Sequence, residues 1–487
     1  MNSPPESSTT EEPLRKARFR WLPSRRWALI ALVLGSPLLF IFLSVGVVAL
    51  RFALENWEGQ AAVDDEIARI QAAGEPITVE DLYAYHRLPP STLDATASWT
   101  AALESFDEGQ LKEGQHLPFV GDGDETLMRP EVADSSAADV KQFLAAFESR
   151  LASAHAAAKS SGQCRFPVKF EDGQYALYQH AHNALTLSRL LKLEVRQRLY
   201  EGDISGALES LETLLALGNS MEHQLSLLEH LVRGSTFGKA VEEGECILNE
   251  VQLSDTQLAD LQESFQSLEL HASFTRATIG DRAMGYLAVQ HPETIDDFDP
   301  AVLFMLRLAI PPASKIYLGA MSEKVAASRQ AYPEALTRST QIDDQLLERS
   351  KEGNAFERLK YASPLMLASL SKSAFASNAH RIAARDITVA AIASERHRLE
   401  KGDYPESLPL LVPEYLEAVP SDPFDGQPLR FKKSQQEVVL YSVGINGVND
   451  LGDATKDEKG VKRDIVLRIN AAKVQSVTQL PALQERP

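Results

Sequence analysis

The sequence has little cysteine, with only Cys164 and Cys246 among 487 residues. Two cysteines that do not form a Cys-x-x-Cys pair exclude a cysteine-based zinc cluster. In an oxidising compartment they form one disulfide, or they remain two separate buried thiols. The sequence also lacks the His-Glu-x-x-His, Gly-x-Ser-x-Gly, phosphate-loop and dinucleotide-binding motifs. We therefore assign no catalytic residue and no organic cofactor.

Positive charge is scarce as well. The formal net charge is −19, and residues 1–26 hold six basic and three acidic side chains. The chain after Arg26 therefore carries 43 basic and 65 acidic side chains. A surface this acidic repels nucleic acid and anionic lipid. Nucleic-acid binding is excluded as a function.

No charge occurs between Trp27 and Leu50, a run of 24 residues. As a helix the run would be about 36 Å long, enough to cross a hydrocarbon core of about 30 Å. The basic flank precedes the run, so the positive-inside rule leaves the N-terminus in the cytoplasm and exports the rest. We predict a single-pass membrane protein bound to the lipid bilayer through residues 27–50. Two alternatives are a signal peptide cleaved near Ala49 and a twin-arginine export signal at Arg25-Arg26.

Composition divides the chain into five segments. We expect a disordered basic cytoplasmic tail at 1–26, the transmembrane helix at 27–50 and an exported α-helical domain at 51–362. A long helix with a small α+β module follows at 363–470, and a flexible tail at 471–487. The predicted fold class is mainly α, with a short antiparallel sheet near the C-terminus.

Apolar periodicity predicts an αα-hairpin in the middle of the chain. One apolar face runs from Leu187 to Leu199 and a second from Ile204 to Leu215, with Gly202 in the turn between them. The hairpin has no second copy at a fixed period, which favours a helical bundle or an irregular α-solenoid. Two further helices are predicted to begin with capping boxes, at Thr78 and at Ser254. Four more are predicted over 93–106, 137–159, 223–248 and 365–400.

Four short motifs follow the last of these helices. They are Lys401-Gly402-Asp403-Tyr404-Pro405, Ser421-Asp422-Pro423-Phe424-Asp425-Gly426, Ser442-Val443-Gly444-Ile445-Asn446-Gly447 and Asp464-Ile465. Strand-like runs at 429–432, 438–443 and 465–469 accompany them. This succession, over about 400–469, resembles the C-terminal module of the major pseudopilins of type II secretion systems. The whole chain also resembles single-pass bacterial membrane proteins that share this ending, which implies the bacterial inner membrane with a periplasmic C-terminal domain.

The resemblance also implies a structural calcium ion in the last loop of the module. The candidate oxygen ligands are Asn446, Asn449, Asp450, Asp453 and Asp464. Carboxylate and amide oxygens on a sharply bent loop are the ligands that Ca²⁺ prefers. Asn446 stands where the pseudopilins have Asp, and a solvated turn rich in Asp and Gly is the alternative. The predicted span lacks the Gly-Phe pair and the Glu that pseudopilins use for processing and assembly.

Two classes of function are compatible with the sequence. The helical body without a catalytic motif, together with the C-terminal resemblance, favours a membrane-anchored, exported binding or scaffold protein. Such a protein would have a protein partner and serve as an accessory to a secretion or envelope assembly. The alternative is an exported hydrolase whose site assembles from residues that are distant in the sequence.

Overall fold

The structure is a computed structural model with two compact units, Met1–Glu58 and Gly59–Pro487. The predicted cytoplasmic tail, nearly all of the predicted span and the tail at 471–487 lie outside the described residues. In the first unit, residues 50, 51 and 53–58 are described and helical. The residues that the structure describes are 50–51, 53–121, 123, 134–175, 178–294, 299–353, 358–456, 460 and 463–470.

No single helix in these ranges is long and apolar enough to cross a bilayer. The helices Pro300–Leu308 and Ile310–Ser328, bent by 69°, meet the length and composition criterion only as a pair.

The second unit is mainly helical. Residues 59–72 form α1. The helices that follow are α2 (Val79–His86), α3 (Thr96–Ala102), α4 (Glu108–Glu113), α5 (Asp134–Ala145), α6 (Glu148–Ala158), α7 (Gln179–Tyr200) and α8 (Ile204–Asn219). After them come α9 (Leu227–Glu250), α10 (Asp255–Gln266), α11 (Leu270–Gln290), α12 (Pro300–Leu308), α13 (Ile310–Ser328), α14 (Glu334–Lys351) and α15 (Ala362–Lys401).

The predicted αα-hairpin is confirmed as α7 and α8. Most apolar residues of both faces, including Leu187, Leu191, Leu211 and Leu214, are buried, and the two helices pack together. Asp203 begins α8, because its side chain accepts a hydrogen bond from the Gly206 amide at 2.9 Å. The long helix α15 packs against α9, α10, α11, α13 and α14. It is therefore the element around which the second half of the body is organised.

Both predicted capping boxes are confirmed. At the start of α2, the Thr78 hydroxyl accepts from the Asp81 amide, and the Asp81 carboxylate accepts from the Thr78 amide, both at 3.1 Å. Ser254 and Gln257 form the same reciprocal pair at the start of α10. Each pair provides partners for amides that the first helical turn leaves without acceptors.

The prediction of one helix over 93–106 is wrong, because α3 covers only Thr96–Ala102. The preceding residues pair with a distant segment instead. The Gln163 amide donates to the Leu93 carbonyl at 2.9 Å, and the Ala95 amide donates to the Gln163 carbonyl at 3.0 Å. Gly162, with φ of +133°, allows this approach, since a Cβ there would lie 2.4 Å from the Leu93 carbonyl oxygen. Tertiary pairing thus overrides the local helical signal.

Two other helix predictions need correction. The segment 137–159 forms two helices, α5 and α6, with a break before Glu148. At the break Phe147 is buried, with its ring centre 5.1 Å from that of Phe143. The α9 helix begins at Leu227 rather than at His223, because the Ser226 hydroxyl accepts from the Leu228 amide and caps the helix there.

The C-terminal sheet has three antiparallel strands in the order β1 (Arg430–Lys433), β2 (Glu437–Ser442) and β3 (Ile465–Asn470). The three predicted strand-like runs are thus confirmed to within one or two residues. In the register, Leu440 of β2 pairs with Phe431 of β1 and with Leu467 of β3. The sheet packs against α15, whose last turn ends at Gly402 with φ of +85°.

The outer edge of β3 is covered by side chains of α9. The Arg468 amide donates to Glu245 at 3.0 Å, and the Arg468 carbonyl accepts from the Asn249 amide group at 2.8 Å. The Asn470 amide donates to the Asn249 carbonyl oxygen at 2.7 Å. The strand is therefore hydrogen-bonded to β2 on one side and to a helix on the other.

The module and the helical body share one apolar core. A single buried cluster contains Leu214 of α8, Leu248 of α9 and Ile392 of α15 together with Leu440 and Ile469 of the sheet. All described residues from Gly59 onward belong to one compact unit. The division at residue 362 stays a prediction about sequence segments, because the two segments pack as one body.

Candidate functional site

The second of the four C-terminal motifs is organised around the Asp422 carboxylate, which is fully buried. One oxygen accepts from the Phe424 amide at 3.0 Å and from the Ser442 hydroxyl at 2.8 Å. The other accepts from the Val443 amide at 2.9 Å and from the Arg430 guanidinium at 2.5 Å. Asp422 therefore joins its own turn to the ends of β1 and β2, a structural role for the Asp-Pro motif.

Three of the predicted calcium ligands lie together in the loop between β2 and β3. The Asn446 amide group donates to the Asp450 carboxylate at 2.8 Å. The buried Asp464 carboxylate accepts from the Asp450 amide at 3.3 Å and from the Gly452 amide at 2.6 Å. Burial raises the pKa of Asp464, and these backbone hydrogen bonds oppose the increase. Asp464 thus holds the loop against the start of β3.

The other two predicted ligands have partners of their own. The Asn449 side-chain oxygen accepts from the Leu451 amide at 3.0 Å. The Asp453 carboxylate accepts from the Thr455 amide at 2.9 Å and pairs with Arg463. The Thr455 and Arg463 interactions lower the pKa of Asp453.

The described part of this loop does not present a calcium ion with a set of free oxygens. The oxygens that would bind the ion accept hydrogen bonds from amides and from a guanidinium. Within the described ranges, no group of three or more His, Cys, Asp and Glu side chains is arranged to hold a metal. Calcium binding would require Asn446 to turn its amide and Asp453 to leave Arg463. The calcium site stays a prediction.

A second candidate site lies between α7, α9 and α15, where a pocket of about 390 Å³ is open to solvent. Arg189 and Lys192 reach it from α7, Lys239 and Glu242 from α9, and Arg381 from α15. The pairs on α7 and α9 are each spaced by three residues and therefore share a helix face. Four cationic side chains thus face one carboxylate. We call this site the basic pocket.

Arg381 is the partly buried cation of the basic pocket that has no direct partner among the described residues, whereas Arg189 is exposed to solvent. Its guanidinium makes no hydrogen bond or ion pair with any other described residue, and its Nε atom is fully buried. Glu242 attracts it over a longer distance, and burial lowers the pKa of Arg381. Two glycines of α9 make room for it. A Cβ at Gly238 would lie 2.7 Å from Nη1, and one at Gly234 would lie 3.1 Å from Nε.

Lys192 and Phe119 form another wall of the basic pocket. The Lys192 ammonium donates to Glu242 at 2.7 Å and lies 4.0 Å from the centre of the Phe119 ring. Phe119 has φ of +65°, a conformation that is uncommon for a residue other than glycine. Behind this wall the buried Glu243 pairs with Arg196 at 2.5 Å. Burial raises the pKa of Glu243 to about 7.

Lys239 titrates closer to neutrality than an ordinary lysine. Burial and, after it, the nearby positive charge of Arg189 together lower its pKa to about 8, and the Glu242 carboxylate opposes the decrease. Its ammonium donates to the Ser235 hydroxyl at 3.2 Å. Burial therefore outweighs the attraction of Glu242 in setting the pKa of Lys239.

The basic pocket has the chemistry of an anion-binding site. The Arg381 guanidinium is partly buried and has no acceptor among the described residues, so an oxyanion that supplies acceptors stabilises it. The planar guanidinium suits carboxylate and phosphate groups in particular. Sequence reasoning missed this pocket because its residues extend from Phe119 to Arg381. The spacing of Gly234 and Gly238 on one helix face was the only local signal.

A larger pocket, of about 630 Å³, lies between α10, α15 and residues 413–420. Asp386 contributes a carboxylate, paired with Arg385 at 2.8 Å. Burial raises the pKa of Asp386, and the Arg385 charge opposes the increase. A hydrolase would need a second perturbed carboxylate or a histidine beside it. The hydrolase alternative stays a prediction.

The two cysteines are free thiols in different environments. Cys164 is buried, and Cys246 is partly exposed and receives a hydrogen bond from Arg196 at 2.5 Å. Burial raises the pKa of each thiol to about 12, which disfavours the reactive thiolate. Comparison of the chain with known protein families, curated proteins and solved structures finds no match.

Proposed function

We propose that the protein is a membrane-anchored, exported binding protein that holds an anionic ligand in the basic pocket. The observation that carries this proposal is the Arg381 guanidinium, buried at Nε and without a direct partner among the described residues. Three further cations line the same pocket. The chain has a net charge of −19 and repels anions over most of its surface. A local excess of positive charge therefore favours anion binding at the basic pocket.

The apolar residues of the first unit support the membrane anchor. Leu50, Leu54 and Trp57 are all exposed, Trp57 by 71%. Their spacing of four and three residues places them on one face of a helix. A tryptophan just beyond a hydrophobic run is typical of the membrane–water interface. Alkaline carbonate extraction of the full chain should leave it in the membrane pellet, and release into the supernatant would overturn the anchor.

The same proposal includes an exported C-terminal domain and an accessory role in a secretion or envelope assembly. The motifs from Lys401 to Ile465 resemble a pseudopilin module, and the body and this module share one core. A scaffold accessory to a secretion or envelope assembly needs a protein partner. That partner should be recovered by cross-linking in intact cells and should be lost when the exposed module residues Ile445 and Val448 are replaced by Ser. Recovery that is unaffected by these substitutions would remove this loop of the module from the proposed role.

The anion site is tested by calorimetric titration of the full chain in detergent with inorganic phosphate and with sulfate. Arg381→Gln should weaken both by about tenfold or more, because a hydrogen bond to a charged group contributes about 1.5–3 kcal/mol. Arg69→Gln is the matched control, since Arg69 is an exposed arginine on α1 paired with Glu66. Equal affinities in the two variants would overturn the proposal.

A further inference from the structure

The helix α12 exposes an apolar face. Val302, Phe304 and Met305 are all exposed, Phe304 by 62%. Arg307 is the only charged residue between Pro300 and Leu308, and it pairs with Glu293 at 3.3 Å. Large apolar side chains grouped in this way on a surface mark a contact with something other than water.

The way in which α12 is attached keeps this face outside the body. Leu306 is buried and fixes the helix from one side. At Ala309 the chain bends by 69° into α13. The helix α13 in turn buries Tyr317, Leu318 and Met321 in the body. Of these two helices, α12 is therefore the one that leaves large apolar side chains in solvent.

The chain outside the described residues indicates what α12 contacts. A Cβ at Gly59 would lie 3.1 Å from the backbone of Pro311, so the start of the second unit touches the start of α13. The predicted membrane span ends at Leu50, nine residues before Gly59. Nine residues reach at most about 30 Å even when fully extended. The chain connection alone therefore limits the start of the second unit, and the α12–α13 junction that it contacts, to about 30 Å from the end of the predicted span.

We propose that α12 is an interfacial helix that lies on the exported surface of the bilayer and inserts Val302, Phe304 and Met305 among the lipids. This inference rests on the proposed membrane anchor. The acidic chain gains no attraction from anionic headgroups, so the contact depends on apolar burial. A short helix with a single basic residue binds membranes weakly by itself. Tethering by the span raises its effective concentration at the surface and makes such a weak contact sufficient.

The test uses the full chain in vesicles of phosphatidylethanolamine and phosphatidylglycerol. Cys164 and Cys246 are replaced by Ala, and a nitroxide is attached at Phe304→Cys or, as a second reporter on α12, at Val302→Cys. The collision rate of the nitroxide with oxygen, which concentrates in lipid, is compared with its collision rate with a water-soluble nickel complex. Leu228→Cys is the matched control, because Leu228 is an exposed leucine on α9.

A label on α12 should show an oxygen-to-nickel collision ratio several-fold above that at Leu228. Equal ratios in protein that resists carbonate extraction would overturn the interfacial helix and leave the anchor intact. Release by carbonate would overturn the anchor and the inference together. Concentration-dependent spin–spin broadening between labels on α12 would instead assign this face to a second copy of the chain, and would also contradict the proposal.

Discussion

Replacing the Asp422 carboxylate should destabilise the C-terminal module at the end of the sheet where Asp422 joins β1 and β2. Asp422→Ala removes the acceptor for Phe424, Ser442, Val443 and Arg430 at once. Breaking a buried ion pair costs about 3–5 kcal/mol. Because Arg430 keeps its second partner, Asp425, we expect the substitution to cost an amount at the lower end of this range, about 3 kcal/mol.

Hydrogen exchange of the β2 amides measures this effect directly, because local opening free energies are read from exchange rates. A loss of about 3 kcal/mol increases the opening constant by about 100-fold. Asp425→Ala is the matched control. It removes the other partner of Arg430, but its side chain is 28% exposed, and exposed pairs contribute only about 0–1 kcal/mol. If the two variants accelerate exchange equally, or if neither does, Asp422 is not the centre of this network.

Three further predictions concern the sites. The calcium prediction requires that excess calcium raise the melting temperature relative to chelator and that Asp450→Ala abolish the increase; no increase would leave the loop dependent on its own hydrogen bonds. Sulfate affinity at the basic pocket should fall as the pH rises from 7 to 9, since Lys239, with a pKa of about 8, loses its positive charge over that interval. A profile that Lys239→Gln leaves unchanged would contradict this assignment. Iodoacetamide at pH 8 should label neither Cys164 nor Cys246 until the protein is unfolded, and rapid labelling of either native thiol would contradict the high pKa values.

Elements whose signals are local could be predicted from the sequence. The capping box at Thr78 and the αα-hairpin around Gly202 depend on contacts within a few residues or between adjacent helices, and both are present. The helix expected over 93–106 failed because Leu93 and Ala95 pair with Gln163, about seventy residues later. Helical periodicity contains no information about such a partner.

The two candidate sites also differ in how far the sequence could predict them. The ligand positions around Asp464 are close in sequence, and a resemblance was enough to group them. Their hydrogen-bond partners were not predictable, because an aspartate that binds a metal and one that accepts from backbone amides look alike in sequence. The basic pocket needs α7, α9 and α15 to come together before Lys192 and Arg381 become neighbours. A single sequence does not predict that arrangement.

The hydrogen bonds from α9 side chains to the outer edge of β3 limit how the module can bind other proteins. An unpaired strand edge is a template on which a second chain can add a strand, with aggregation as the common result. At β3 the outward backbone groups of Arg468 and Asn470 are already taken by Glu245 and Asn249. The opposite edge, β1, carries Arg430, Lys432 and Lys433, and charged edges resist such addition. A partner of this module is therefore expected to recognise its side chains and loops rather than extend its sheet.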